Sequence, residues 1–256
     1  TPVYTHPNTS WVWTCIAESG SAIYASGYVG AESAVVKFTL DTSGAMPTLS
    51  SAITAVVLPE GEIINRIHVH LMNYMAIGTN KGVRIGSISD TTGDINYGPL
   101  MITTERPVRG FAAHNSYIYA ASSSNSELGG LIFNYPMIYR IDLSNEIDNL
   151  RFAYQTDIYA EGISGEAIDV CHLGLADRLA FIAGTSSSSV TGVGDKGLWV
   201  QSATEVYSSG WIQTGYIRYN TLEQKNFKRV VARGDYGVAP DRFTPAVTRG
   251  SMTIST

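Results

Sequence analysis

The chain has little charge. Its 17 Lys and Arg and 22 Asp and Glu make up only 15% of 256 residues, with a formal net charge of -5. A mildly acidic chain argues against nucleic acid or an anionic membrane as partner, since both favour a basic surface. The one local cluster of cations, Lys225, Lys228, Arg229 and Arg233, lies beside Glu223 and Asp235. Neighbouring residues of a strand point to opposite faces, so this cluster reads as a solvated, partly paired strand rather than a phosphate track. Long apolar runs are also missing. None approaches the roughly eighteen residues of a membrane helix, and no basic segment leads into an apolar one, so membrane insertion is not expected.

Cysteine is scarce: Cys15 and Cys171 each sit in an apolar, strand-like run. Buried free thiols are the expectation, with a disulfide as the other reading. Neither cysteine forms a C-x-x-C pair, so no redox or zinc motif is present. Helical periodicity is nearly absent. Only Ser144 to Leu150 offers a single turn capped by Ser144. There is no G-x-S-x-G elbow, and Gly192 to Gly197 leads into a strand rather than a helix, which sets aside nucleophile-elbow and phosphate-loop chemistry. The chain does not begin with Met, and Gly250 to Thr256 resembles a strand just starting. An excerpt of a longer polypeptide, or a processed one, is expected.

What the chain does have is Gly (25 residues), abundant Ser and Thr, and more Tyr (15) than Phe (7) or Trp (4). This is the profile of a turn-rich β-protein whose outward strand faces carry hydroxyls. A pair of strands joined by a tight turn recurs four times. The pairs are Val12 to Ala17 with Ala22 to Gly27, Ile67 to Leu71 with Tyr74 to Gly78, Val108 to Ala113 with Tyr117 to Ala121, and Ile168 to Leu173 with Leu179 to Gly184. Tyr24, Ala76, Tyr119 and Phe181 fall at equivalent positions, with spacings of 52, 43 and 62 residues. A third strand follows each pair, at Ala34 to Leu40, Gly82 to Ile88, Met137 to Leu143 and Gly197 to Ser202.

The expected fold is all-β: a β-propeller-like region of repeated antiparallel blades over residues 1–208, followed by a second β-rich segment, 209–256. A β-solenoid or stacked sandwiches is the alternative. Small residues such as Ala25, Ser26, Gly78, Ala120, Ala121, Ala183 and Gly184 fit the crowded channel wall of a propeller. Ser122 to Tyr135 and Ser186 to Lys196 read as long loops on one face, where binding would reside.

Candidate chemistry is sparse. His68 and His70 leave one face of a strand, an arrangement that can hold a metal, although no third ligand is near in sequence; His6, His114 and His172 lie elsewhere. A glycosidase needs two nearby carboxylates, one with a raised pKa. Glu18, Asp41, Asp90, Asp94, Asp142, Asp157, Glu161, Glu166 and Asp169 sit on strand ends or turns. Asp169 stands out because it interrupts an apolar strand, and the preferred reading is a carboxylate accepting backbone hydrogen bonds. Asp41 to Gly44 and Asp90 to Asp94 read as Asx-type turns, too poor in acidic ligands for an EF-hand-like calcium loop. Tyr97, Tyr135, Tyr159 and Tyr207 offer stacking surfaces for sugars. No residue is nominated as catalytic, cofactor-binding or metal-ligating, and no cofactor is implied.

The stretch Ser209-Gly210-Trp211-Ile212-Gln213-Thr214-Gly215-Tyr216-Ile217-Arg218-Tyr219 runs through a polar turn into Thr221-Leu222-Glu223-Gln224-Lys225-Asn226-Phe227-Lys228-Arg229. It resembles the junction in minor tail proteins of long-tailed bacteriophages, particularly those of actinobacteria, over about residues 209–235. In that family a propeller-like region precedes this segment, which opens a β-sandwich. The resemblance implies a non-enzymatic structural component of the virion tail tip or fibre that helps meet the host surface. It also implies contacts with other tail proteins, a homo-oligomer such as a trimer, and a host-surface glycan as a possible target. After Asp235 the sequence turns loop-like, a departure from the family pattern. A propeller glycosidase or lyase acting on the cell envelope, and a free-standing glycan-binding module, are the rival readings.

Overall fold

The computed structural model describes residues 4–20, 22–40, 53–128, 131–160, 165–184 and 197–202. The chain divides into two units, Thr1–Val206 and Tyr207–Thr256, and every described residue belongs to the first. The segment expected to open a β-sandwich, together with Asp41, Glu161, Tyr207 and Ser186 to Lys196, lies outside the described residues.

All regular structure among the described residues is strand, arranged in four antiparallel sheets that follow one another along the chain. The first holds β1 (Val12–Ser19), β2 (Ala22–Val29), β3 (Glu32–Thr39) and β4 (Ile53–Val57). The second holds β5 (Ile64–His70), β6 (Tyr74–Thr79), β7 (Gly82–Ile88) and β8 (Ile95–Tyr97), with β9 (Ile102–Thr103) also paired to β7. The third holds β10 (Gly110–His114), β11 (Tyr117–Leu128), β12 (Leu131–Asp148) and β13 (Arg151–Tyr159). The fourth holds β14 (Glu166–Leu173), β15 (Arg178–Gly184) and β16 (Gly197–Val200). Within each sheet the strand order is the chain order, the meander of a propeller blade. The architecture is β-propeller-like.

The faces of these sheets alternate, and apolar residues on facing sides form one core layer between each consecutive pair. Tyr24, Val35 and Val56 of the first sheet meet Ile64, Ile67, Met75 and Ile77 of the second. The opposite face of the second, with Ala76, Val83 and Ile85, meets Phe111, Ile118, Ala120 and Ile141 of the third. The third meets the fourth through Ala112, Tyr119, Ala121 and Ile138 against Val170, Leu179, Phe181 and Ala183. First strands of successive sheets are neighbours, β1 with β5, β5 with β10 and β10 with β14. The small residues therefore serve a different end from the one expected. Ala25, Ser26, Gly78, Ala120, Ala121, Ala183 and Gly184 lie on second strands, within the sheets' packed faces. A side chain at Gly78 would collide with Phe111 of the next sheet and with Val108 just ahead of it.

Three further expectations change. Ser144 to Leu150 is not a helical turn: β12 runs through to Asp148, and its register slips between Asp142 and Glu146. Ser122 to Tyr135 is not an irregular loop, because β11 and β12 stay paired from Tyr117↔Asp142 to Leu128↔Leu131. Both cysteines are free as expected, but Cys15 is only half-buried and Cys171 is exposed.

Candidate functional site

Each first strand ends in a tight turn into the second, and these turns are linked from sheet to sheet along one rim. The turns use left-handed backbone at Gly20, at Leu71 and Met72, at Asn115 and at Asp177. Such a conformation suits the twist of a tight hairpin. Ser19 Oγ donates to the Met72 carbonyl at 3.1 Å, joining the first two turns. His70 Nε2 lies 2.5 Å from the Asn115 carbonyl, joining the second to the third.

At the third joint the link is a pair of rings. His114 closes β10 and His172 sits one residue before the end of β14. Their imidazoles stack with centroids 3.9 Å apart and planes 8° from parallel. Tyr119 lies 5.8 Å from His172 at 22°. His172 Nε2 is 3.2 Å from Asp177 Oδ1; the His172 side chain is only 5% exposed, whereas that of Asp177 is 87% exposed. Nδ1 of His172 is buried without a hydrogen-bond partner. One ligand atom from each of His114, His172 and Asp177 lies within 4.8 Å of the others, the one such trio of metal-capable groups among the described residues.

The histidine pair singled out from sequence behaves differently. His68 and His70 do share a face, their rings 6.4 Å apart, but His68 stacks near Phe111 and His70 is engaged by Asn115. Burial, then the charges of His70 and Arg66, push the His68 pKa below the usual histidine value. Among the described residues, the trio of metal-capable groups does not include this pair. His6 stacks on Trp11 at 4.4 Å, in the N-terminal lead.

Five of the candidate carboxylates, Asp94, Asp142, Asp157, Glu166 and Asp169, are engaged by cations, hydroxyls or amides. Asp169 Oδ1 accepts the Val170 N–H at 3.0 Å, and Oδ2 lies 3.9 Å from Arg66 of β5. β10 passes so close that a side chain at Gly110 would strike Asp169. Glu166 is buried and takes Arg109 at 3.1 Å and Arg106 at 3.8 Å. Asp157 pairs with Arg140 at 3.5 Å. Glu62, absent from the sequence-derived candidates, is 2% exposed and receives Nε and Nη2 of Arg84, each at 2.9 Å.

The Asp90 to Asp94 turn forms, though not as an Asx turn at Asp90. Ser89 Oγ accepts the Thr92 N–H, and the Asp94 carboxylate receives Lys37 Nζ of the first sheet at 2.9 Å. Hydrogen bonds from Lys37 and Thr92 hold Asp94 below the usual carboxylate range, and one from Ser144 does the same for Asp142. A general acid would need the opposite displacement. Of the tyrosines, Tyr97 lies beneath the Arg84 guanidinium at 5.3 Å, and Tyr135 packs edge-on to Tyr159.

No family model matches the sequence, and no curated protein matches it. Among solved structures the chain is similar to the computationally designed Ika4 protein, at 10% identity over 78% of this chain and 97% of that one, with a TM-score of 0.47. It is similar to the β-propeller domain of Cps50 (Swd1) from Myceliophteria thermophila, at 12% identity over 68% of this chain and 51% of that one, with a TM-score of 0.42. A third likeness is to the PQQ-bound form of aldose sugar dehydrogenase from Streptomyces coelicolor, at 12% identity over 70% of this chain and 75% of that one, with a TM-score of 0.34. The propeller-like description rests on the strand order and sheet packing given above.

Proposed function

We propose that this chain is a structural part of a long-tailed bacteriophage virion, a minor tail protein of the tail tip or fibre that helps meet the host surface. The observation that carries the reading is the order of two things along the chain. β-propeller-like sheets run through the described residues up to 202, and the Trp211-to-Arg229 motif follows them in the sequence, as in the tail proteins it resembles. The fold supplies what such a role needs: four sheets locked through three core layers make a rigid support, with hairpin turns gathered on one rim.

The role is assembly rather than catalysis, with other tail proteins and further copies of the chain, such as a trimer, as partners. A host-surface glycan is the target class for the contact itself. Apolar side chains left exposed on the last sheet, Ile182, Leu198 and Val200, suit a component that buries more surface in a particle than alone. The test is gold-labelled antibody against this chain on intact virions, viewed by electron microscopy. Label confined to the tail end supports the reading. Purified virions free of the chain, both by label and by mass spectrometry, would sink it.

A further inference from the structure

We propose that His114, His172 and Asp177 form a binding site for one transition-metal ion of the zinc type, on the hairpin rim where the third and fourth sheets meet. The site is independent of the virion reading. Its donors are two imidazoles and a carboxylate, the nitrogen-rich set that zinc, nickel and copper select and that magnesium and calcium do not.

The decisive group is His172. Its side chain stacks on His114, lies 5.8 Å from Tyr119 and is 5% exposed. Its Nε2 stands 3.2 Å from Asp177 Oδ1, close to the roughly 3.3 Å edge of a tetrahedron with 2.0 Å bonds. A cation seated between those two atoms meets the Nε2 lone pair and the carboxylate charge together, and it fixes the ring proton on Nδ1.

His114 brings the second nitrogen, and Asp177 contributes its carboxylate as the third ligand. The three ligand atoms span up to 4.8 Å, wider than the roughly 3.3 Å edge of a tetrahedron with 2.0 Å bonds. Asp177 is exposed on its turn and His114 is only half-buried, so those two side chains can close the gap around a fixed His172. Binding therefore exchanges the ring stack for coordination. The remaining positions face solvent beside Asp177, leaving room for water or an outside ligand.

The experiment is calorimetric titration of the metal-free full chain with zinc chloride at neutral pH, with cobalt(II) absorbance as a readout of coordination geometry. One equivalent of zinc is expected, bound at least tenfold more weakly by His114→Ala and by Asp177→Asn. Both substitutions lie at the rim and leave the core intact, and zinc should raise the melting temperature of the parent chain more than that of either variant. The double variant His68→Ala/His70→Ala should bind as the parent does. The proposal is overturned by no saturable uptake, by unchanged affinity in both single variants, or by loss of binding on removing His68 and His70.

Discussion

The two terminal sheets leave their outer faces in opposite conditions. On the first sheet, Ala25, Val36 and Phe38 point away from the series and are still buried, because Tyr4 packs on Phe38 at 5.2 Å and an aromatic group of His6, Trp11 and Trp13 gathers beside it. On the fourth sheet, the outward row reads Ile182 beside Leu198 and Ala180 beside Val200. There Ile182 is 46% exposed, Leu198 70% and Val200 50%, and of the four only Ala180 is buried. The same alternation of strand residues thus yields a core on one side and largely bare apolar surface on the other. Burial in this fold is decided by the neighbouring layer and not by the strand's own pattern.

The largest expected contrast comes from truncating one residue on each face. Phe38→Ala removes a ring that is 6% exposed and should cost about 3–5 kcal/mol in denaturant unfolding. Leu198→Ala should move the isolated chain by less than about 0.5 kcal/mol. Equal costs would mean that the fourth sheet's face is covered in solution. Next in size is Gly27→Ala. A methyl there would strike the Trp11 indole, so the indole must lift from the first sheet, at a cost of about 1–3 kcal/mol. Trp fluorescence should shift to longer wavelength as the cover loosens.

A smaller effect separates both ends from the interior. Burial lowers the folded-state pKa of His68 beneath its unfolded value. The stability linked to its neutral form is therefore complete above the ordinary histidine pKa of about 6.5, and is lost as pH falls through the folded value. Stability should decline on acidification below about pH 6.5, and His68→Gln should flatten that part of the profile. A profile unchanged by the substitution would assign the decline to other groups.

Much of the fold is legible in the residues. Alternation in Val12 to Ala17, Tyr74 to Gly78 and Tyr117 to Ala121 marks strands because one face of each is packed and the other is not. The fourth strands escape this reading for definable reasons. β8 has three residues, too few to show a period, and β13 is paired through bulges that break the phase. Ser122 to Tyr135 looks like a loop because Ser and Asn carry no apolar signal, yet strand pairing continues through it. Ser144 signals a helix cap, but its N–H and hydroxyl both bond to Asp142 in a bulge. A local hydrogen bond of that kind serves either structure.

The candidate site is less legible still. His114 and His172 come from different sheets, and only the packing of β10 against β14 brings their rings together. One trace was present. His70 and His114 each close a first strand, and His172 nearly does, all just ahead of the hairpin turn. A residue type recurring at one place in a repeated unit indicates that the place is shared in space, even when nothing in the spacing says what occupies it.

The near-sequential strand order of the described sheets has a consequence for how the molecule comes into being. Among the described residues, no strand within a sheet must wait for a distant partner, since each pairs with the strand made just before it or, for β9, with one two places earlier. A nascent chain can therefore finish one sheet before the next has been translated, and each finished surface becomes the template on which its successor condenses. Growth of this kind is additive: a whole sheet can be gained or lost in evolution without rethreading the others.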